Sequence, residues 1–71
     1  MSEGTITKIV ADRNFGLIDT EDGEKDLYFH YNEVLPKNAN FFNLKAGDRV
    51  EFEIQDSPKG PRATRVLRID R

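Results

Sequence analysis

The sequence contains no cysteine and a single histidine, His30. Without cysteine there are no disulfide bonds and no thiolate metal ligands, and one histidine alone cannot build a structural zinc site. No apolar run is long enough for a signal peptide or a membrane-spanning helix, so we expect a cytoplasmic protein without a metal or cofactor. The 71 residues begin with Met1 and end just beyond the last predicted strand, which predicts a complete small protein with one domain over residues 1–71.

Helical periodicity is also missing, since no segment keeps apolar residues at helical spacing over about ten positions. Short runs rich in β-branched and aromatic residues alternate with turn-forming residues instead. They predict strands at 5–10, 15–20, 26–31, 49–55 and 63–69. Asp22-Gly23 predicts a tight turn between the second and third strands, because glycine adopts positive φ without strain. Residues 32–45 form an irregular stretch, with one helical turn expected near 32–35.

Five short strands without a covering helix would leave one apolar sheet face exposed. Closing the sheet into a small barrel buries that face and removes the sheet edges. An OB-type and an SH3-like barrel both fit, and the long connection after the third strand favours an all-β, five-stranded antiparallel OB-type barrel. In the fourth strand Val50, Phe52 and Ile54 alternate with polar residues, which predicts that these three point inward.

The hairpin of the second and third strands carries large side chains on both faces. Alternation along a strand places one set inside, namely Gly16, Ile18, Leu27 and Phe29. The opposite set lies outside, namely Phe15, Leu17, Tyr28 and His30. An exposed cluster of rings suits the stacking of unpaired bases, at about 1–3 kcal/mol per base. Gly16 is expected to leave the backbone between these side chains open to close approach by a ligand.

Four segments, in collinear order, resemble those of cold-shock domains. RNFGLI at 13–18 resembles the first ribonucleoprotein motif of that family, commonly KGFGFI, and DLYFHY at 26–31 resembles the second, commonly DVFVHF. AGDRVEFEI at 46–54 and PKGPRA at 58–63 are similar to further family segments. The resemblance extends from Gly4 to about Val66 and implies a barrel that binds single-stranded RNA or DNA, as an RNA chaperone or transcript-level regulator and not as an enzyme.

The resemblance also implies which residues bind nucleic acid. The set is Lys8, Arg13, Phe15, Leu17, Asp26, Tyr28, His30, Tyr31, Phe41 and Lys59. Rings at the matching positions stack bases, and these rings are Phe15, Tyr28, His30, Tyr31 and Phe41. Asp26 matches a position able to hydrogen-bond a base, and Arg13 and Lys59 match basic positions.

Two positions depart from the family pattern in a way that affects binding. Lys8 stands where the first strand usually carries a stacking tryptophan, and Leu17 replaces a second stacking phenylalanine. Losing two rings removes about 2–6 kcal/mol of stacking, which Lys8 offsets in part through a phosphate contact. We therefore expect weaker and more salt-sensitive binding than in a member with all its aromatic residues. Asn14 replaces a glycine, and asparagine tolerates the left-handed conformation that this turn requires.

A second interpretation is a protein-interaction barrel that has kept the scaffold and lost nucleic-acid binding. The net charge of -2 argues against a grip on duplex DNA through many phosphates, but a local basic groove suffices for a single strand. The outward side chains separate the two interpretations, because stacking requires planar rings whereas a protein partner requires only apolar area. A catalytic role for His30 with Asp26 is disfavoured, since there is no second carboxylate, nucleophile or enclosed pocket.

Overall fold

The computed structural model describes residues 2–35 and 44–69. Its strands are β1 (Ser2–Val10), β2 (Phe15–Thr20), β3 (Leu27–His30), β4 (Val34–Leu35), β5 (Arg49–Gln55) and β6 (Arg62–Arg68). Short 3-10 turns at Ala11–Arg13 and Tyr31–Glu33 follow β1 and β3. Within the described ranges, no helix has the length and apolar character needed to cross a membrane.

The strands form one sheet in the order β3-β2-β1-β5-β6-β4, and an additional pairing of β3 with β6 closes it into a barrel. β1 pairs antiparallel with β2 on one side and with β5 on the other, and β5 pairs antiparallel with β6. The Asp22-Gly23 turn joins β2 to β3, with Gly23 at a φ of 108°. The predicted barrel of five main strands and the predicted hairpin are confirmed.

The closure of the barrel differs from the prediction in two respects. β3 meets β6 in parallel orientation at Tyr28 and Arg62, and the two-residue strand β4 also runs parallel to β6. The sequence predicted an antiparallel barrel, without these parallel contacts, and a helical turn near 32–35. The turn instead ends at Glu33, and the chain is extended at Val34, whose side chain is thereby buried in the core.

The buried hydrophobic side chains of the described chain come from every strand. They are Ile6, Ile18, Leu27, Phe29, Val34, Leu44, Val50, Phe52, Ala63 and Val66. The alternation predicted for β2 and β3 is confirmed, but the inward position predicted for Ile54 is wrong, because its side chain is 41% exposed. Pairing between β1 and β5 reaches only to Phe52, so Ile54 lies beyond the part of β5 that β1 covers.

Arg49 joins β1, the start of β5 and the turn after β2. Its Nη1 donates to Thr5 Oγ1 at 3.1 Å, and its Nη2 donates to carboxylate oxygens of Glu3 and Glu21. The hydrogen bond to Glu21 raises the pKa of Arg49 above its ordinary value. Exposed pairs of this kind contribute little to stability. The network does neutralise part of the acidic β2–β3 turn.

Gly16 has a packing role that the sequence did not suggest. It is buried, and a Cβ there would lie 2.6 Å from two ring atoms of Phe29 and 3.0 Å from Ile9 Cδ1. Phe29 is itself fully buried, so its ring has no space into which to retreat. Gly16 therefore leaves room for the Phe29 ring in the core. That a ligand approaches its outward backbone stays a prediction.

Gly16→Ala is expected to lower the free energy of unfolding by about 1–3 kcal/mol, because the added methyl group overpacks the core against Phe29. Urea denaturation followed by far-ultraviolet circular dichroism measures the change. A double variant with Phe29→Leu is the matched control, since removing the ring should make the combined loss smaller than the sum of the two single losses. A Gly16→Ala variant with an unchanged denaturation midpoint would contradict this packing.

Candidate functional site

The outer face of β1, β2 and β3 brings together most of the side chains singled out in the sequence. Strand register places Lys8 beside Leu17 and Leu17 beside Tyr28, and the parallel contact continues the same row to Arg62. The neighbouring row pairs Phe15 with His30. We call the surface formed by Phe15, Tyr28, His30 and Tyr31 the ring face.

The rings of the ring face pack against one another in pairs. Phe15 and Tyr28 are stacked with centroids 5.3 Å apart and planes 30° from parallel. His30 and Tyr31 lie 4.7 Å apart at 46°. Tyr28 and Tyr31 are 38% and 43% exposed, whereas Phe15 and His30 are half-buried. Phe15 and His30 are thus each packed against a tyrosine ring. The two tyrosines keep part of their ring surface exposed to solvent.

Backbone hydrogen bonds fix the position of His30 and Tyr31. The Asn32 N–H donates to His30 Nδ1 at 3.2 Å, so a neutral His30 carries its proton on Nε2. The Tyr31 N–H donates to the Asn14 carbonyl at 2.9 Å and ties the turn after β3 to the turn before β2. Asn14 has φ 60° and ψ 38°, which confirms the predicted left-handed conformation.

A β-bulge shapes the β1 side of the site. The register between β1 and β2 shifts between Ile6 and Lys8, so that Thr7 and Lys8 together oppose Leu17. Thr7 Oγ1 donates to the Leu17 carbonyl at 3.4 Å, and both β1 side chains are exposed. Because a bulge re-aims side chains, Lys8 is exposed at the β1 end of the row that contains Leu17 and Tyr28.

Three of the other predicted residues are exposed in turns of the barrel. Arg13 is exposed in the 3-10 turn before β2. Asp26 is exposed two residues before Tyr28, with φ 55° and its N–H bonded to Asp19 Oδ1 at 3.1 Å. Lys59 is exposed in the turn between β5 and β6. Phe41 lies outside the described residues.

Arg62 is the residue at this site that sequence reasoning missed. It is not in the set of binding residues predicted from the sequence, but the β3–β6 contact sets it beside Tyr28. Together with the β5–β6 turn, these two residues line an open groove of about 650 Å³. The sequence carries no local signal for this neighbourhood, because the parallel contact joins residues far apart in the chain.

Within residues 2–35 and 44–69, no group of three or more His, Asp or Glu side chains is arranged to hold a metal ion. What the described surface offers is aromatic faces, a few cationic donors and the carboxylate of Asp26. Such an arrangement suits non-covalent recognition of flat, partly polar groups next to anions.

Comparison with known proteins adds an independent line of evidence. The model of the 'cold-shock' DNA-binding domain matches residues 2–69. The chain is similar to probable cold shock protein A of Mycolicibacterium smegmatis, with 42% identity over 97% of this chain and 100% of the relative. It is 36% identical to cold shock-like protein CspE of Escherichia coli, over 94% of both chains.

A solved structure is similar as well. The fold superposes on one described as drosophila Unr CSD456 with a TM-score of 0.78 and 25% identity. That match covers 97% of this chain and 26% of the longer structure. The comparison structure therefore contains much beyond the part that corresponds to this barrel.

Proposed function

The chain belongs to the cold-shock domain family of non-enzymatic nucleic-acid-binding domains, and from this premise we propose that it binds single-stranded RNA or DNA through its ring face. We propose further that it acts in the cytoplasm as an RNA chaperone or transcript-level regulator. The observation that carries the proposal is the stacked pair of Phe15 and Tyr28, at 5.3 Å, on an outer strand face. Rings left partly in water on a strand surface supply the platform that unpaired bases stack on.

The distribution of charge supports the same surface. Lys8, Arg13 and Lys59 lie near the ring face, where they can pair with the phosphates of a bound strand. Four of the acidic residues of the β2–β3 hairpin lie at or near its turn, namely Asp19, Glu21, Asp22 and Glu24. A chain with a net charge of -2 can thus still offer a local basic border to an anionic ligand.

The proposed mechanism requires no energy source. Bases in a duplex are stacked on one another and cannot present their faces to Phe15 or Tyr28, so the ring face favours unpaired strands. A protein that binds only the unpaired form shifts the folding equilibrium of RNA toward that form by mass action. This action is what an RNA chaperone requires.

Fluorescence anisotropy of labelled oligonucleotides tests the proposal. We expect short single strands of RNA and DNA to bind more tightly than a duplex of the same length, with a salt dependence of about one to three phosphate contacts. The label belongs on the nucleic acid, because the chain contains no tryptophan. Equal affinity for single strand and duplex, or no binding at low salt, would refute the proposal.

The matched control for this experiment is Leu67→Ala. Leu67 is an exposed hydrophobic residue of β6 that pairs with Leu35 of β4, outside the ring face. Its removal is expected to leave the affinity for single strands unchanged. A loss in this variant equal to that of ring-face variants would place the binding surface elsewhere.

A further inference from the structure

The groove between Tyr28 and the β5–β6 turn has the size and walls of a binding site. Its lining residues are Tyr28, Ser57, Pro58, Lys59, Gly60, Pro61 and Arg62. Its volume of about 650 Å³ falls within the range of small-ligand sites. The Tyr28 ring and the two proline rings provide apolar surface, and among the described residues no carboxylate lines the groove.

The charged side chains that line the groove are hydrogen-bond donors. The Ser57 hydroxyl and N–H both donate to the Gly60 carbonyl, and the Gly60 N–H donates back to the Ser57 carbonyl. These bonds use the Ser57 hydroxyl and the facing backbone groups of Ser57 and Gly60. The charged groups among the described lining residues are the Lys59 ammonium and the Arg62 guanidinium, which donate and cannot accept.

The Arg62 side chain lies where one of its hydrogen-bond donors has no partner among the described residues. Its Nε is buried and has no hydrogen-bond partner within the described chain, and none of the described carboxylates forms an ion pair with it. A buried donor without a partner is destabilising, more so when it is charged. A ligand that draws the guanidinium outward and accepts from it would relieve this cost.

We infer that this groove takes one guanine base of the bound strand, with Arg62 donating to the O6 and N7 atoms. Guanine presents two adjacent acceptors on that edge, which match the planar fork of arginine. Adenine and cytosine present an amino donor in the corresponding region, which would face another donor. Thymine and uracil present one acceptor, O4, so they rank between guanine and the other two.

This inference rests on the proposed function and adds a base preference to it. The stacking rings tolerate any base, because every base has an aromatic face. Arg62 is next to Tyr28 in the barrel, so a strand that stacks on Tyr28 can place a neighbouring base in the groove. Sequence selectivity would then come from one side chain at the edge of a surface that is otherwise unselective.

Short oligothymidine strands with one central base replaced test the inference. A central guanine or inosine keeps both acceptors and is expected to bind the wild-type chain about 5- to 100-fold more tightly than oligothymidine, the range of one bidentate arginine–guanine contact. A central 7-deazaguanine lacks N7, and a central adenine lacks O6. Strands with either of these central bases are expected to lose most of the gain in affinity.

Arg62→Gln is expected to abolish the guanine preference while retaining binding to oligothymidine. Arg62→Lys keeps the charge without the fork and should lose most of the preference too. Arg65→Gln removes one positive charge from β6 at a position outside the lining of the groove. This variant should keep the guanine preference. Circular dichroism of each variant verifies the fold.

Three outcomes would overturn the inference. They are equal wild-type affinity for all central bases, a guanine preference that survives Arg62→Gln, and a loss in Arg62→Gln that is equal for all strands and reduces the salt dependence. The last would identify Arg62 as a phosphate contact. Failure of the proposed function itself is distinguishable, because then oligothymidine would not bind the wild-type chain either.

Discussion

The double variant Lys8→Trp with Leu17→Phe is expected to bind single strands more tightly than the wild-type chain by about 2–6 kcal/mol. Each added ring can stack one further base at about 1–3 kcal/mol. The two positions are direct cross-strand partners, and Leu17 is also the partner of Tyr28. The new rings would therefore extend the stacked pair of Phe15 and Tyr28 into a continuous aromatic surface across three strands.

Anisotropy titrations of the double variant and both single variants measure this gain. The introduced tryptophan would be the only one in the chain, so a change of its emission on binding reports stacking at that position directly. Removing Lys8 should also make the salt dependence shallower by about one phosphate contact. Lys8→Ala is the matched control, with the shallower salt dependence and no gain in affinity.

The contrary result would be a folded double variant with wild-type affinity and tryptophan emission that does not respond to the strand. The strand would then not pass over the β1 side of the face. The Lys8 and Leu17 departures would in that case not explain any weakness of binding. Their role would have to be sought in another contact of the same surface.

Local patterns predicted the parts of this protein that depend on neighbouring residues in the chain. Alternation in β2 and β3 identified Ile18, Leu27 and Phe29 as core residues and Tyr28 as an outward one, because a strand's two faces follow from its sequence alone. The turn at Gly23 and the left-handed Asn14 follow from the conformational preferences of single residues. These predictions are confirmed.

The closure of the barrel could not be predicted in the same way. Ile54 continues the apolar alternation of β5, yet whether it is covered depends on where β1 stops pairing. The groove at Arg62 depends on a parallel contact between β3 and β6, which local alternation does not encode. Gly16 likewise has a role that depends on the Phe29 ring across the strand pair.

The candidate site was likewise predictable from the sequence only in part. The sequence predicted that Phe15, Leu17, Tyr28 and His30 share one outer face, and strand register brings these four together. Whether they bind nucleic acid stays a prediction, as does the role of Phe41, which lies outside the described residues. Strand register determines which side chains share the surface. A binding measurement determines what that surface binds.

The double variant Phe15→Leu with Tyr28→Leu is expected to lose about 2–6 kcal/mol of binding free energy for single strands, and each single variant about half of that. Leucine keeps much of the apolar area of the two rings and lacks the flat face on which a base stacks. Both side chains lie on the outer face and are not part of the buried core, so the substitutions should leave the barrel folded. Anisotropy titrations measure the loss, and thermal unfolding verifies the fold.

This experiment also decides between the two classes of function that the sequence left open. A surface that binds a protein partner through apolar area would tolerate leucine at both positions, whereas base stacking would not. Retained affinity in the folded double variant would therefore count against stacking on Phe15 and Tyr28. A loss confined to single strands, with Leu67→Ala unchanged, would establish the stacked pair as the surface on which unpaired bases bind.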